Sequence, residues 1–122
     1  MTPVRIDRAA IGELRTLVGD DGRSLAEQLL EIFAKDAPLL VAQLQRAAPA
    51  ADGAELLRLA HRLKGTALTI GADTVTAHCV HIERRVRLGE FAEVAALLDE
   101  LAIAAAETVR LLHEELERLA GL

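Results

Sequence analysis

From Glu90 to Leu119 the apolar residues Phe91, Val94, Leu98, Leu101, Ala105, Leu112, Leu116 and Leu119 return at intervals of three, four or seven positions. That period belongs to one face of an α-helix and cannot serve a strand, whose faces alternate every second residue. A helix of this length is held in water by laying its apolar stripe against other helices. The segment therefore restricts the chain to a helical assembly.

The rest of the chain has the same period. Asp7 to about Val18 is expected to form a short first helix, with Ile6, Ala10, Ile11, Leu14 and Leu17 inward, and Gly19-Asp20-Asp21-Gly22 reads as a turn. Ser24-Leu25-Ala26-Glu27 matches a capping box and opens the next helix. Its expected stripe is Leu25, Leu29, Ile32, Phe33, Leu40, Leu44 and Ala47, with a kink or brief break near Ala37 caused by Pro38. Pro49 to Gly53 reads as a loop. Asp52 with Glu55 starts a third helix that runs to about Ile70, where Gly71 interrupts; its core face is Leu56, Leu59, Ala60, Leu63, Ala67 and Ile70. A fourth helix, Ala72 to Arg87, turns Ala72, Val75, Cys79, Ile82 and Val86 inward and ends at Gly89. Four long amphipathic helices with short connections predict an all-α fold, an antiparallel four-helix bundle with a short additional N-terminal helix. At 122 residues it is expected to be one domain over residues 1–122, with a core that needs no metal or disulfide.

Several classes of function fall away. The net charge of −5 argues against a general nucleic-acid binder. The most apolar stretch, Val94 to Val109, is interrupted by Asp99, Glu100 and Glu107, so no membrane insertion is expected. Met1-Thr2-Pro3-Val4-Arg5-Ile6-Asp7 has no apolar run of the secretory kind. The single cysteine, Cys79, leaves no intramolecular disulfide and fits a reducing, cytoplasmic setting. His78, His81, Cys79 and His113 are the residues a metal would want, but the wheel turns Cys79 into the core and the two histidines to a flank, so no metal site is expected.

The core stripe of the third helix centres roughly opposite His61, which is therefore expected to face solvent. On a helix, residues three and four apart are neighbours, so Lys64 and Gly65 both flank His61, and Leu57, Arg58 and Leu68 share its face as a docking surface. Alone, Lys64 reads as a solvated lysine; beside an exposed imidazole it can stabilise a phosphoryl group, which brings up to about two negative charges. A glycine inside a helix costs about 1 kcal/mol relative to alanine. Gly65 therefore reads either as a close contact between helices or as a clearing through which a partner reaches His61, and its place away from the core favours the clearing.

The run Ala60-His61-Arg62-Leu63-Lys64-Gly65-Thr66-Ala67-Leu68-Thr69-Ile70-Gly71-Ala72 closely resembles histidine-containing phosphotransfer (HPt) domains, whose motif reads roughly AHxLKG, a small or polar pair, then GA. The resemblance continues through Val75, Cys79 and Ile82-Glu83, and upstream through Phe33-Ala34-Lys35-Asp36-Ala37-Pro38. Thr66, Thr69 and Ile82 stand where the family more often has Ser, Asn or Ser, and Leu. The resemblance implies a phosphorelay protein of a two-component system. His61 would accept a phosphoryl group, through Nε2, from an aspartyl phosphate on a response-regulator receiver domain or hybrid histidine kinase and pass it to another receiver. Lys64 would steady that group and Gly65 would leave room for the receiver. Glu83 matches a position that can orient the imidazole through Nδ1, or else it pairs with Arg87 four residues on; Arg87 resembles an auxiliary basic position.

The resemblance further implies a phosphoryl carrier and not an enzyme. No Gly-rich phosphate loop is present. No cofactor is expected on this chain, and the receiver is expected to supply Mg²⁺. A monomer is expected, because the exposed face has to stay available. The alternatives are a receiver-binding bundle without chemistry, and an HPt fragment of a larger sensor kinase in place of a free-standing protein.

Overall fold

The computed structural model describes residues 3–122. Met1 and Thr2, on which part of the leaderless-terminus expectation falls, lie outside them. Five helices follow one another: α1 Arg8–Thr16, α2 Leu25–Ala47, α3 Gly53–Ile70, α4 Asp73–Arg87 and α5 Phe91–Ala120. A single 3-10 turn, Ala48–Ala50, links α2 to α3 where the sequence suggested an irregular loop. Among the described residues there is no strand, only an isolated bridge between Val18 and Ser24.

Local chemistry sets the helix starts. Asp7 Oδ1 accepts from the amide of Ala10 (3.0 Å), Ser24 Oγ from that of Glu27 (3.1 Å) and Asp52 Oδ1 from that of Glu55 (3.2 Å). Each satisfies an amide that the first helical turn would otherwise leave without a partner. Gly71 ends α3 with φ +75, and its amide returns to the carbonyls of Ala67 and Leu68.

α2 to α5 form a closed ring in which each helix packs on two neighbours: α2 on α3 and α5, and α4 on α3 and α5. With short turns between successive helices, this is the antiparallel four-helix arrangement, and α3 and α5 lie diagonally across it. α1 is the extra helix and seals one side by burying Ile11 against α2 and α5. The core faces of α3 and α4 contain every residue the wheel assigned to them.

On α2 the buried face is Ala26, Leu30, Phe33, Ala37, Leu40, Val41 and Leu44. Ile32 was expected inside but is 49% exposed. The two alanines complete a 3-4 register that the bulkier neighbouring residues obscure. Leu17, also expected inside, is exposed because α1 stops at Thr16 and the chain leaves the bundle there. Pro38 does not break α2, which runs unbroken from Leu25 to Ala47. It sits on the exposed side, where water can serve the carbonyl that loses its donor.

Two features join the N-terminal segment to the bundle. The amide of Asp7 donates to the carbonyl of Gly71 (2.8 Å), and a Cβ at Gly71 would lie 3.0 Å from Cβ of Asp7 and 3.3 Å from its carbonyl oxygen. Gly71→Ala combines a left-handed backbone, worth about 1–2 kcal/mol against an L side chain, with that close approach. It is expected to lower unfolding free energy by about 2 kcal/mol in a denaturant titration.

The second feature is Glu115 on α5, 1% exposed, which accepts from Arg118 (2.5 Å) and also pairs with Arg8 of α1. The Arg118 guanidinium, with Arg8 assisting against the effect of burial, holds this carboxyl below its ordinary value of 4.5. A carboxylate lowered on folding contributes stability above its unfolded pKa and loses it as pH falls through its folded value. The difference in thermal midpoint between the wild type and Glu115→Gln is therefore expected to be full at neutral pH and to vanish as pH falls below the ordinary carboxylate range.

Candidate functional site

One exposed turn of α3 and the facing turn of α4 assemble the site. Because Leu59, Ala60 and Leu63 face the core, His61 is turned to solvent. Lys64, one turn on, leans across the α3–α4 seam and is 24% exposed along its side chain. Its Nζ lies 2.7 Å from Oε1 of Glu83 on α4, a carboxylate only 3% exposed.

A buried carboxylate has to be compensated, and here two cations from two helices do it. Arg87, four residues on along α4, reaches Oε2 of Glu83 at 3.4 Å, a long and loose contact from a guanidinium that is itself 63% exposed. The contact to Lys64 is short but poorly aligned, so Oε1 has its charge balanced without an aligned hydrogen bond. α3 and α4 run antiparallel and Lys64 faces Glu83. The turn of α4 that carries Arg87 is therefore level with the turn of α3 that carries His61.

Of the two roles open for Glu83, this arrangement favours the cation partner: its carboxylate is engaged by Lys64 and Arg87, and among the described residues no hydrogen bond joins it to His61. Its burial and its ion pair with Lys64 go beyond what the apolar stripe of α4 predicts. The signal was available, since Glu83 directly follows the core residue Ile82 and lies four positions after Cys79.

Gly65 is exposed, and a Cβ built on it meets nothing within 4 Å. No helix packs closely there, so contact between helices does not explain the glycine. The hydroxyl of Thr69 donates to the carbonyl of Gly65 (2.8 Å), which ties down the backbone of that turn. A shallow groove runs alongside, lined by Leu29, Ile32, Arg62, Gly65, Thr66 and Thr69. Ile32 thus lies across the groove from Gly65.

The expected docking residues differ in character. Leu68 is 61% exposed, but Leu57 is half-buried against the core and does not stand free as expected. Arg58 is exposed and makes a two-pronged bond to Glu55 (2.6 and 2.9 Å).

Cys79, one turn before Glu83, is fully buried. Burial first, then the Glu83 carboxylate, pushes its thiol up to about 12, with Lys64 opposing. It packs as a small core residue. His81 accepts from Arg85 Nε (3.3 Å), and His113 is exposed. Among the described residues no group of three or more His, Cys, Asp or Glu side chains comes together as a metal would require. Among the described residues no helix is long and apolar enough to cross a membrane.

The arrangement is an exposed imidazole on α3, with a lysine one turn on that pairs across the seam with Glu83, and open space at Gly65. The family model described as Hpt domain matches residues 28–121 of the chain. Among solved structures the chain is similar to the crystal structure of histidine-containing phosphotransfer protein B (HptB) from Pseudomonas aeruginosa PAO1, with 26% sequence identity and a TM-score of 0.80 over 93% of this chain and 95% of that one. No curated protein matches it.

Proposed function

This chain belongs to the Hpt domain family, and from that premise we propose that it is the phosphoryl carrier of a two-component phosphorelay, with His61 as the group that is phosphorylated. The observation that supports this most is the exposed His61 with Lys64 one turn away and an unobstructed Gly65 beside it.

In the proposed reaction, Nε2 of a neutral His61 attacks the phosphorus of an aspartyl phosphate on a receiver domain. The bond from the Asp oxygen to phosphorus breaks, and its electron pair returns to the aspartate as a carboxylate. The new Nε2–P bond leaves the imidazole ring positive, with its proton kept on Nδ1. The reverse step hands the phosphoryl group to the next receiver.

Phosphoryl transfer depends mainly on positioning and on compensation of charge. Lys64 would supply a compact, mobile cation on its flexible stem, and Arg87 a second one from the neighbouring helix. Leu68 and the Leu29–Ile32 groove would form the apolar part of the docking face, with Leu57 supporting it from below and Arg58 at its rim. Mg²⁺ would come with the receiver, and hydrolysis of ATP would belong to the kinase. The proposed form is a cytoplasmic monomer.

The test is intact-mass analysis after mixing the protein with a phosphorylated receiver domain and Mg²⁺. The expected result is one added phosphoryl group that is lost in acid. A bundle that binds receivers but never gains mass would be a docking module, contrary to the proposal.

A further inference from the structure

Glu83 is a full negative charge set beside a site that must hold a doubly negative group. Its carboxylate is 3% exposed, so water screens it little, and its Oε1 lies 2.7 Å from the same ammonium that the phosphoryl group would recruit. Oε1 has no aligned hydrogen bond of its own, and the other cation, Arg87, stands off at 3.4 Å. The carboxylate therefore leans on Lys64 for its compensation. The ammonium has two anionic claimants, one permanent and one that comes and goes.

We infer that Glu83 is a positioning residue that competes with the phosphoryl group for Lys64, and so keeps phosphorylated His61 poised to release its cargo. In the unphosphorylated chain Lys64 rests on Glu83. When Nε2 of His61 is phosphorylated, the ammonium swings toward the phosphoryl oxygens, and the Glu83 carboxylate is left with Arg87 alone. Part of what Lys64 gives the phosphohistidine is thereby taken from the Glu83 pair, and the balance moves toward transfer onward.

This inference rests on the phosphocarrier reading, and its test keeps the two apart. Phosphoramidate phosphorylates an accessible imidazole without any receiver: Nε2–P forms, N–P breaks, and ammonia leaves with the electron pair. At a fixed ratio of phosphoramidate to ammonia, the ratio of phosphorylated to free His61 is read by intact mass for wild type and Glu83→Gln. The amide keeps the size of the side chain and removes the charge. The ratio is expected to rise on the order of tenfold in the variant. A folded Glu83→Gln with an unchanged or lower ratio would overturn the competition; a lower ratio would return Glu83 to the role of imidazole holder.

A second readout needs no variant. In wild type labelled at the lysine Nζ and glutamate carboxyl, the NMR signals of Lys64 and Glu83 are expected to shift together when His61 is phosphorylated. Signals that stay in place would mean that Lys64 never leaves Glu83, and the inference fails even if Glu83→Gln does not fold. A folded wild type that takes nothing from phosphoramidate would overturn the phosphocarrier reading, and this inference with it.

Discussion

His61→Gln is expected to lose phosphoryl uptake completely while the bundle stays folded. Glutamine has no ring nitrogen with a free lone pair, so the attacking atom is gone and nothing nearby replaces it. The fold should not register the change, because His61 points into water while Leu59, Ala60 and Leu63 hold α3 in the core. Surface substitutions of this kind stay within about 0.5 kcal/mol. Intact mass after exposure to a phosphorylated receiver reads the first effect, and thermal unfolding followed by circular dichroism reads the second. Residual uptake in the variant would place the acceptor elsewhere, with His78, His81 and His113 the remaining candidates. A large drop in the thermal midpoint would mean that His61 belongs to the packing after all.

Gly65→Gln is expected to move stability and transfer in opposite directions. Glycine is among the poorest residues in a helix interior, and a side chain there meets nothing within 4 Å. The substitution should therefore raise unfolding free energy by up to about 0.8 kcal/mol through helix propensity alone. The same side chain would occupy the space through which a receiver must bring its phosphorylated aspartate to His61. Transfer from a receiver should fall at least about tenfold, on the scale of what a misplacement of about 1 Å costs in catalysis. Phosphorylation by phosphoramidate, which is small enough to pass, should stay near the wild-type rate. If both donors slow equally, the glutamine has disturbed the imidazole itself. If neither slows, the clearing is not a passage. A glycine kept at a cost to the helix fits the wider pattern in which functional positions are not stability optima.

How far the sequence could be read depended on whether one physical term dominated. On α3 and α4 the apolar stripe is clean, so every apolar core position follows from periodicity, and the caps of α3 at Asp52 and Gly71 follow from their own chemistry. α2 carries adjacent bulky apolar residues at Leu29-Leu30 and Ile32-Phe33, and either stripe satisfies the period. Only packing decides, and it chose Leu30 and Phe33 with small partners at Ala26 and Ala37. Local propensity at Pro38 predicts a kink or a brief break; the break does not occur, because buried residues on both sides of it, Ala37 and Leu40, and exposure of its own face outweigh that preference.

At the site, the wheel turns His61 outward with Lys64 and Gly65 beside it, since they share one helix. The pairing of Lys64 with Glu83 joins two helices, and no spacing along the chain reveals which side chains meet across a seam. Glu83 in fact sits on the inner side of α4, where a charge is rare unless paired. That rarity was the available hint.

The open setting of His61 also gives the relay a clock. Enzymes that handle labile intermediates close over them and keep water out. Among the described residues nothing roofs this imidazole, and a clearing at Gly65 that would admit a receiver would admit water equally well. On the proposed function, the phosphoryl group is exposed to hydrolysis for as long as it waits between partners. A message carried this way fades with delay: prompt meetings pass it on, late ones find it spent, and the abundance of receivers sets how far it travels.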